Sequence, residues 1–399
     1  MSHALAIEPA LRAKLLDTAR ALFEASAAVS RASNDPVVTS AHAYFAAHWL
    51  ASREPPPQSC STTMLRSEIE RTVGLLPETE LKPSLADGYL GVAWMANAAS
   101  AIGLDGPEVV PEDAVDEALA EDLPALQKTE YYDFLNGVAG TLWFELHRRR
   151  GARAGVVADR LDVLSAMSQA TDTGVCWWTP YRIARWGMDS GYHDLGFAHG
   201  QAGMAAVLSK AHVALRSRRT QALLERAVAA YDAMLAEQPA GHFVPHATVP
   251  GQSPTRHAWC YGTPGVAVGM FAAARALNDH ERADAWGRRL GFALADEPSR
   301  ARVDSAGFCH GAAGLALIAM QSAAYLGANA GSLARHWLER VVQLGAEREF
   351  ASAENPLLDG PVGVGLVLLS AVSKVDLDWP EMLGIPRMDG RSPQGLIED

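Results

Sequence analysis

The sequence predicts an all-α protein, an α/α toroid in which inner and outer helices alternate around a ring. Three observations predict this fold: a Gly-x-x-Gly motif occurs six times, each copy lies between an amphipathic stretch and an apolar stretch, and no convincing strand pattern is present. The first glycines lie at 88, 137, 200, 262, 311 and 360, at intervals of 49, 63, 62, 49 and 49 residues. An interval of 49 residues accommodates two helices of roughly 15–18 residues with two connections.

The two helices of each repeat differ in which of their sides are apolar. The stretch after each motif, for example 364–372, is apolar on all sides, which is typical of a helix enclosed by protein. In the stretch before the fourth motif, 221–237, Leu224, Val228 and Tyr231 share one face. We therefore expect an outer helix before each motif and an inner helix after it. The glycines are expected to let inner helices approach one another closely.

We expect a single domain over residues 1–399, with the repeats between 84 and 373. Residues 1–52 look helical but lack the motif, so they are expected to form a degenerate first pair, followed by a proline-rich linker at 53–57. Residues 374–399 form a C-terminal tail. The uncharged stretch 311–334 contains polar residues and glycines, so we expect it to be part of a repeat and not a membrane span.

Composition and charge exclude several classes of protein. The chain has 399 residues, 49% hydrophobic and 20% charged, which is ordinary for a globular protein. Its net charge is −12 and it has no block of Lys and Arg, so nucleic acid and anionic membranes are poor candidate partners. The N-terminus does not resemble a secretory signal, and four cysteines are too few for a disulfide framework. We expect a cytoplasmic protein with reduced thiols.

The repeat places rare residues at equivalent positions. If all six motif loops lie at one end of the ring, the residue before each first glycine faces a shared mouth. These residues are all polar and are expected to form a buried ring, the kind of place where functional sites occur. They are Asp87, Asn136, His199, Tyr261, His310 and Asp359. One position earlier, adjacent repeats carry Cys260 and Cys309.

Cys260, Cys309 and His310 are a candidate zinc half-site. Thiolate and imidazole are ligands that Zn²⁺ prefers, and three protein ligands leave a fourth position open. The alternative is that both cysteines are small core residues. Cys60 and Cys176 are expected to be core residues.

Three more residues are candidates for the same mouth. His199 is a candidate proton carrier near neutral pH, or else a structural histidine. Asp133 could hold the tautomer of His199, or it could cap a helix. Arg256, four residues before Cys260, could place a cation near the metal or could be a surface residue.

The two longer intervals contain extra segments, 171–192 and 239–255. The first is rich in aromatic residues and the second in Pro, Gly and His. Both precede loops with candidate site residues. They could be lids or a groove for an extended ligand, or plain crossover loops.

Three sequence blocks carry a family resemblance. Residues 194–203, 259–265 and 309–314 resemble the signature blocks of the lanthionine synthetase C-like family, the zinc cyclases of lanthipeptide biosynthesis. The resemblance covers nearly the whole chain, since all six motifs fit it. It implies that Cys260, Cys309 and His310 bind one zinc ion per chain. It also implies acid/base roles for His199 and Asp133 and auxiliary roles for Arg256 and Tyr261.

The resemblance further implies an activity. This is the addition of peptide cysteine thiols to dehydroalanine or dehydrobutyrine, which forms (methyl)lanthionine rings in a dehydrated precursor peptide with leader and core. The implied partner is a dehydratase. The resemblance implies at most peripheral membrane association, through a biosynthetic complex. The length resembles the stand-alone cyclases, and a leader-binding insertion known in some members has no match. Two alternatives remain: a related protein that binds or conjugates peptide or glutathione thiols without forming rings, and an α/α-toroid glycosidase using Asp87 and Asp359 as its carboxylates.

Overall fold

The computed structural model describes residues 7–180, 191–237, 243–249, 255–345 and 355–385. This part of the chain is mainly α-helical, as predicted. Its strands are the two residues each of β1 (Gln169–Ala170) and β2 (Val175–Cys176), which pair antiparallel. The larger helices are α1 Pro9–Ala32, α2 Pro36–Ala51, α3 Thr62–Leu75, α4 Tyr89–Leu104, α5 Glu112–Lys128, α6 Val138–Glu145, α7 Ala154–Met167, α8 Gln201–Leu215, α9 Arg218–Ala236, α10 Gly262–Leu277 and α11 His280–Leu294. They continue with the short α12 Pro298–Ala301, α13 Ala312–Gln321, the short α14 Ala323–Leu326, α15 Ala330–Gln343 and α16 Pro361–Val372.

Amphipathic and apolar helices alternate along the chain. In α9, Leu224, Val228 and Tyr231 are buried on one face while Glu225 is exposed, as the sequence predicts. In α16, every residue except Ser370 is buried, which matches the prediction of an enclosed helix. The remaining elements repeat this contrast, because a helix apolar on all sides is stable only when protein surrounds it.

The contacts divide the chain into two compact units. The first consists of Met1–Leu119, Val303–Ala323 and Ala328–Arg387. Within it the apolar helices α2, α4, α13 and α16 form a row, since α13 packs on α16, α16 on α2, and α2 on α4. The amphipathic helices α15, α1 and α3 cover this row.

The second unit consists of Ala120–Arg302 and Ala324–Gly327. Within it the apolar helix α8 packs between α6 and α10. The amphipathic helices α7, α9 and α11 pack against α6, α8 and α10, respectively. Each inner helix therefore has an amphipathic neighbour that shields it from water.

The motif glycines have a different role from the predicted one. A Cβ atom on Gly265, the second glycine of its motif, would overlap the carbonyl oxygen of Trp259, six residues earlier in the same loop. The second glycines at 91, 140, 203 and 363 meet the carbonyl six residues before them in the same way. The motif thus lets each inner helix start against its own preceding loop. Close approach between inner helices is seen instead at Gly269, whose Cβ would overlap the carbonyl oxygen of Ala202.

The inner helices that follow a motif are capped at their start by backbone atoms. A helix begins with N–H groups that have no partner within the helix. In α8 the Gln201 N–H donates to the Asp194 carbonyl (2.9 Å), and in α10 the Gly265 N–H donates to the Ala258 carbonyl (3.0 Å). The loop before each motif therefore stays folded against the helix that follows, which holds its polar residues in place.

The predictions for residues 1–57 and for the uncharged stretch 311–334 can be compared with the structure. Residues 9–51 form α1 and α2, and the proline-rich stretch 53–57 after them is not helical. The uncharged stretch 311–334 is broken into α13, α14 and the start of α15. Within the described ranges, no helix combines the length and the apolarity needed to cross a bilayer.

Candidate metal and acid–base site

Hydrogen bonds join neighbouring motif loops in the second unit. The Leu135 N–H donates to the Ala198 carbonyl (3.3 Å), and the N–H groups of Phe197 and Ala198 both donate to the Cys260 carbonyl (2.8 and 3.0 Å). The residues just before three successive motifs are therefore held side by side. In particular, the loop that carries His199 is bonded directly to the backbone of Cys260.

The motif loops of the first unit are joined in the same way. The N–H groups of Phe308 and Cys309 donate to the Leu358 carbonyl (3.2 and 2.8 Å). The Asn355 side-chain amide donates to the Ala86 carbonyl (3.0 Å). Equivalent positions of the repeat thus lie next to one another within each unit.

The ring of polar residues is not buried, contrary to the expectation. Asp87 and His199 are exposed, and Asn136, Tyr261, His310 and Asp359 are partly exposed. The buried residues lie one position earlier: Ala86, Leu135, Ala198, Cys260 and Leu358, with Cys309 partly exposed. The reason is the tight turn before each helix, which turns one side chain into the core and the next toward solvent.

Cys260, Cys309 and His310 form a cluster of soft donors. Their ligand atoms, one from each side chain, all lie within 4.8 Å of one another. In the described part of the chain, no other three His, Cys, Asp or Glu side chains meet the same criterion. Two sulfurs and one imidazole nitrogen are a donor set that Zn²⁺ prefers, and ligands at its usual bond lengths would be about 3.5–3.8 Å apart. The donor set of these residues therefore suits a zinc ion.

The backbone at Cys309 and His310 explains how consecutive residues can share a cluster. They lie in a turn before α13, not within the helix, and Gly311 is in an extended conformation. His310 Nδ1 lies 3.6 Å from an oxygen of Asp359. Burial raises the pKa of Asp359, and the charge of His310 opposes this shift.

The other two cysteines lie in the core, as predicted. The Cys60 thiol donates to the Ala46 carbonyl, and the Cys176 thiol to the Gln169 carbonyl. Burial raises the pKa of both thiols, that of Cys60 to about 12. Neither environment favours a thiolate.

Asp133 and His199 form a hydrogen-bonded pair. His199 Nδ1 lies 3.0 Å from Asp133 Oδ2, and Asp133 Oδ1 accepts the Asn136 N–H at 2.6 Å. Asp133 is almost fully buried, whereas the His199 side chain is 46% exposed. The carboxylate therefore holds its own loop and contacts the imidazole. It does not cap a helix, because α6 begins after Gly137 and no side chain caps it. A carboxylate accepts only, so Nδ1 carries the proton of this hydrogen bond.

The turn that carries His199 contains a buried carboxylate that the sequence predictions did not single out. Asp194 accepts the Gly196 N–H at 2.7 Å. Burial raises its pKa to about 6, opposed by the charge of His199 and reinforced by that of Asp133. The available sequence signal was one acidic residue at the start of the otherwise apolar stretch 194–198.

Arg256 and Tyr261 flank Cys260 on the same loop. Both are partly exposed, and Tyr261 is the residue just before α10. Between them, His257 is fully buried, with Nε2 at 3.1 Å from Asp296. This contact fixes the course of the loop from Arg256 to Cys260.

The described parts of the two extra segments lie beside the His199 loop. Thr179 pairs with Tyr192 in an isolated bridge, and Asp194 pairs likewise with Ala247. The Leu195 N–H donates to the His246 carbonyl at 2.7 Å. These parts therefore border the loop with the candidate acid. Two aromatic residues of the first segment, Tyr181 and Trp186, lie outside the described residues, as do residues 239–242 and 250–254 of the second segment.

The two carboxylates of the glycosidase alternative have separate local partners. Asp87 forms a salt bridge with Lys82 (2.8 Å) and accepts the Ser84 hydroxyl (2.6 Å). Asp359 lies beside His310, one of the three soft donors. Asp87 is therefore part of the structure of its own loop, and Asp359 is a neighbour of the cluster of soft donors.

Comparisons with known proteins identify the family and the fold. No curated protein matches the sequence significantly. Among solved structures, nisin cyclase is similar, with a TM-score of 0.72 at 18% identity over 88% of this chain and 90% of that chain. That protein is an α/α toroid, so the predicted fold class is confirmed. The family model for lanthionine synthetase C-like proteins matches residues 63–384, which is most of the chain. The protein therefore belongs to the lanthionine synthetase C-like family.

Proposed function

We propose that the protein is a zinc-dependent lanthionine cyclase. It would add cysteine thiols of a dehydrated precursor peptide to dehydroalanine or dehydrobutyrine. The observation that carries the proposal is the junction of two loops, where the residue before His199 is hydrogen-bonded to Cys260 (3.0 Å). This contact supports the proposal because the reaction needs both a proton donor, proposed as His199, and a soft metal ligand, proposed as Cys260.

Cys260, Cys309 and His310 are the proposed zinc ligands. Zinc bound there would supply an open coordination position that binds a thiol and lowers its pKa. Cys260 is buried, while Cys309 and His310 are partly exposed, so a peptide can reach the cluster from the solvent side. Four or more donors would leave no room for a substrate thiol, which is why three protein ligands suit catalysis.

His199 is the proposed proton donor. When a thiolate sulfur adds to the β-carbon of dehydroalanine, a carbon–sulfur bond forms and the π electrons move toward the α-carbon and its carbonyl. The α-carbon then takes a proton from His199 Nε2, while Asp133 holds Nδ1 and stabilises the charged imidazole. The thiol loses one proton and the α-carbon gains one, so the peptide mass is unchanged.

Arg256 and Tyr261 are proposed as auxiliary residues. Negative charge develops on the substrate carbonyl during addition, and a guanidinium near it would stabilise that charge. Arg256 lies on the Cys260 loop and Tyr261 follows Cys260 directly. We further propose a dehydratase as partner, a leader-bearing precursor as substrate, and a cytoplasmic location with at most peripheral membrane association.

The test is the His199→Ala variant. We expect ring formation to be abolished or slowed at least about 100-fold, the usual contribution of a general acid, while zinc remains bound. Loss of free thiol from a dehydrated peptide is followed by alkylation and mass spectrometry, and zinc by elemental analysis. Full activity in the variant removes His199 from the mechanism. If the unaltered protein consumes no thiol from any such peptide, the chain is a binding protein and not a cyclase.

A further inference from the structure

Asp194 lies inside the turn that carries His199. Its side chain is buried, with the residue 7% exposed, and Oδ1 accepts the Gly196 N–H. A Cβ on Gly196 would lie 2.9 Å from Oδ1, and one on Gly200 would overlap the same oxygen. The two glycines on either side of His199 therefore leave room for this carboxylate as well as for the carbonyl oxygens of Cys260 and Asp194.

The backbone of Asp194 is held on both sides. It forms an isolated bridge with Ala247, and its carbonyl accepts the N–H of Gln201, the first residue of α8, at 2.9 Å. The next residue, Leu195, donates to the His246 carbonyl at 2.7 Å. These bonds fix the backbone from which the carboxylate projects, and the bond from the Gly196 N–H holds the carboxylate itself within the turn that carries His199.

The charged groups that act on Asp194 are the two members of the proposed acid pair. Burial raises its pKa, the charge of His199 lowers it, and Asp133 raises it. Three buried tyrosines also face it, and the negative charge of Asp194 contributes to raising the pKa of each: Tyr132, Tyr192 and Tyr231. These phenols are neutral near pH 7, so His199 and Asp133 are the neighbours whose charge matters.

We propose that Asp194 is a positioning residue for the proton donor. Its buried carboxylate holds the turn through Gly196 and, with Asp133, stabilises the protonated form of His199. The inference rests on the proposed role of His199, but its test does not require the reaction. Electrostatic coupling is reciprocal: a carboxylate whose proton affinity is lowered by an imidazolium raises the proton affinity of that imidazole by the same amount.

The experiment compares three variants by NMR titration of the His199 imidazole in the intact chain. Asp194→Asn keeps the size and an acceptor for the Gly196 N–H but removes the charge. We expect it to lower the pKa of His199 by about 0.5–1 unit. Glu145→Gln is the matched control, because Glu145 is equally buried but pairs with Arg148 and Arg153. It should leave the His199 titration unchanged.

A third variant covers the case in which Asp194→Asn does not fold. His199→Gln leaves the buried carboxylate intact, and reciprocal coupling requires the pKa of Asp194 to rise, as read from its carboxyl carbon signal. An unchanged His199 titration in folded Asp194→Asn, or an unchanged Asp194 titration in His199→Gln, overturns the inference. If coupling is observed but no ring forms with the unaltered protein, the proposed function fails and the inference about the pair stands.

Discussion

Replacement of Asp133 by Asn tests whether the hydrogen bond between Asp133 and His199 supports proton transfer. Asp133 Oδ1 accepts the Asn136 N–H at 2.6 Å, and Oδ2 lies 3.0 Å from His199 Nδ1. In Asp133→Asn the remaining oxygen keeps the bond to Asn136, because that bond holds the loop. The amide nitrogen then faces His199 Nδ1. It can only donate, so it cannot accept the Nδ1 proton.

The magnitude follows from the bond that is lost. A hydrogen bond to a charged group contributes about 1.5–3 kcal/mol, and 1.36 kcal/mol corresponds to a tenfold change in rate. We expect Asp133→Asn to form rings about 10- to 150-fold more slowly in single-turnover experiments that follow the loss of free thiol. Zinc content and circular dichroism should not change.

The control for this variant is Asp162→Asn on α7, where an exposed carboxylate pairs with Arg219. It should react at the rate of the unaltered protein. If Asp133→Asn reacts within threefold of that rate at full zinc occupancy, the bond between Asp133 and His199 does not support proton transfer.

Three further predictions concern the metal, the motif and acid stability. Cys309→Ala should lose zinc, and stoichiometric metal in elemental analysis would contradict the assignment. Gly265→Ala should lower the free energy of unfolding by about 3 kcal/mol in thermal denaturation, because its Cβ would overlap the Trp259 carbonyl. Gly291→Ala, whose Cβ would meet only Leu326 at 3.8 Å, should be neutral or stabilise α11 by up to about 1 kcal/mol, and equal stability of the two variants would refute the overlap argument. Burial lowers the pKa of His42 from 6.5 to about 4, so the unfolded chain takes up its proton first as the pH falls. Stability present above pH 6.5 is then lost toward pH 4, by up to about 3 kcal/mol, and His42→Gln should flatten this part of a plot of Tm against pH.

Much of the fold was accessible from the sequence because helix type is a local property. The stretch 364–372 is apolar at every turn, and 221–237 is apolar on one face, so their environments could be predicted without knowing their neighbours. The same reasoning predicted the pair of helices in 1–52. It did not reveal the hairpin of β1 and β2, because strands of two residues are too short for an alternating pattern.

The candidate site was only partly accessible. Cys260, Cys309 and His310 could be grouped because the repeat places them in register, and Asp133 was linked to His199 by the register and the resemblance. The burial of the polar ring was predicted wrongly, since the direction of a side chain in a tight turn depends on backbone angles that residue spacing does not specify.

The amino-acid sequence by itself determined the repeat, the alternation of helices and the chemical identity of the donors, since these depend on composition and spacing along the chain. Tertiary structure decided what each loop residue touches. Gly265 lies against the carbonyl of Trp259, the carboxylate of Asp133 contacts both its own loop and an imidazole, and the Asp194 carboxylate lies inside the turn that carries His199. Such contacts depend on how a loop folds back on itself and on its neighbours. The periodicity of the sequence does not specify this folding.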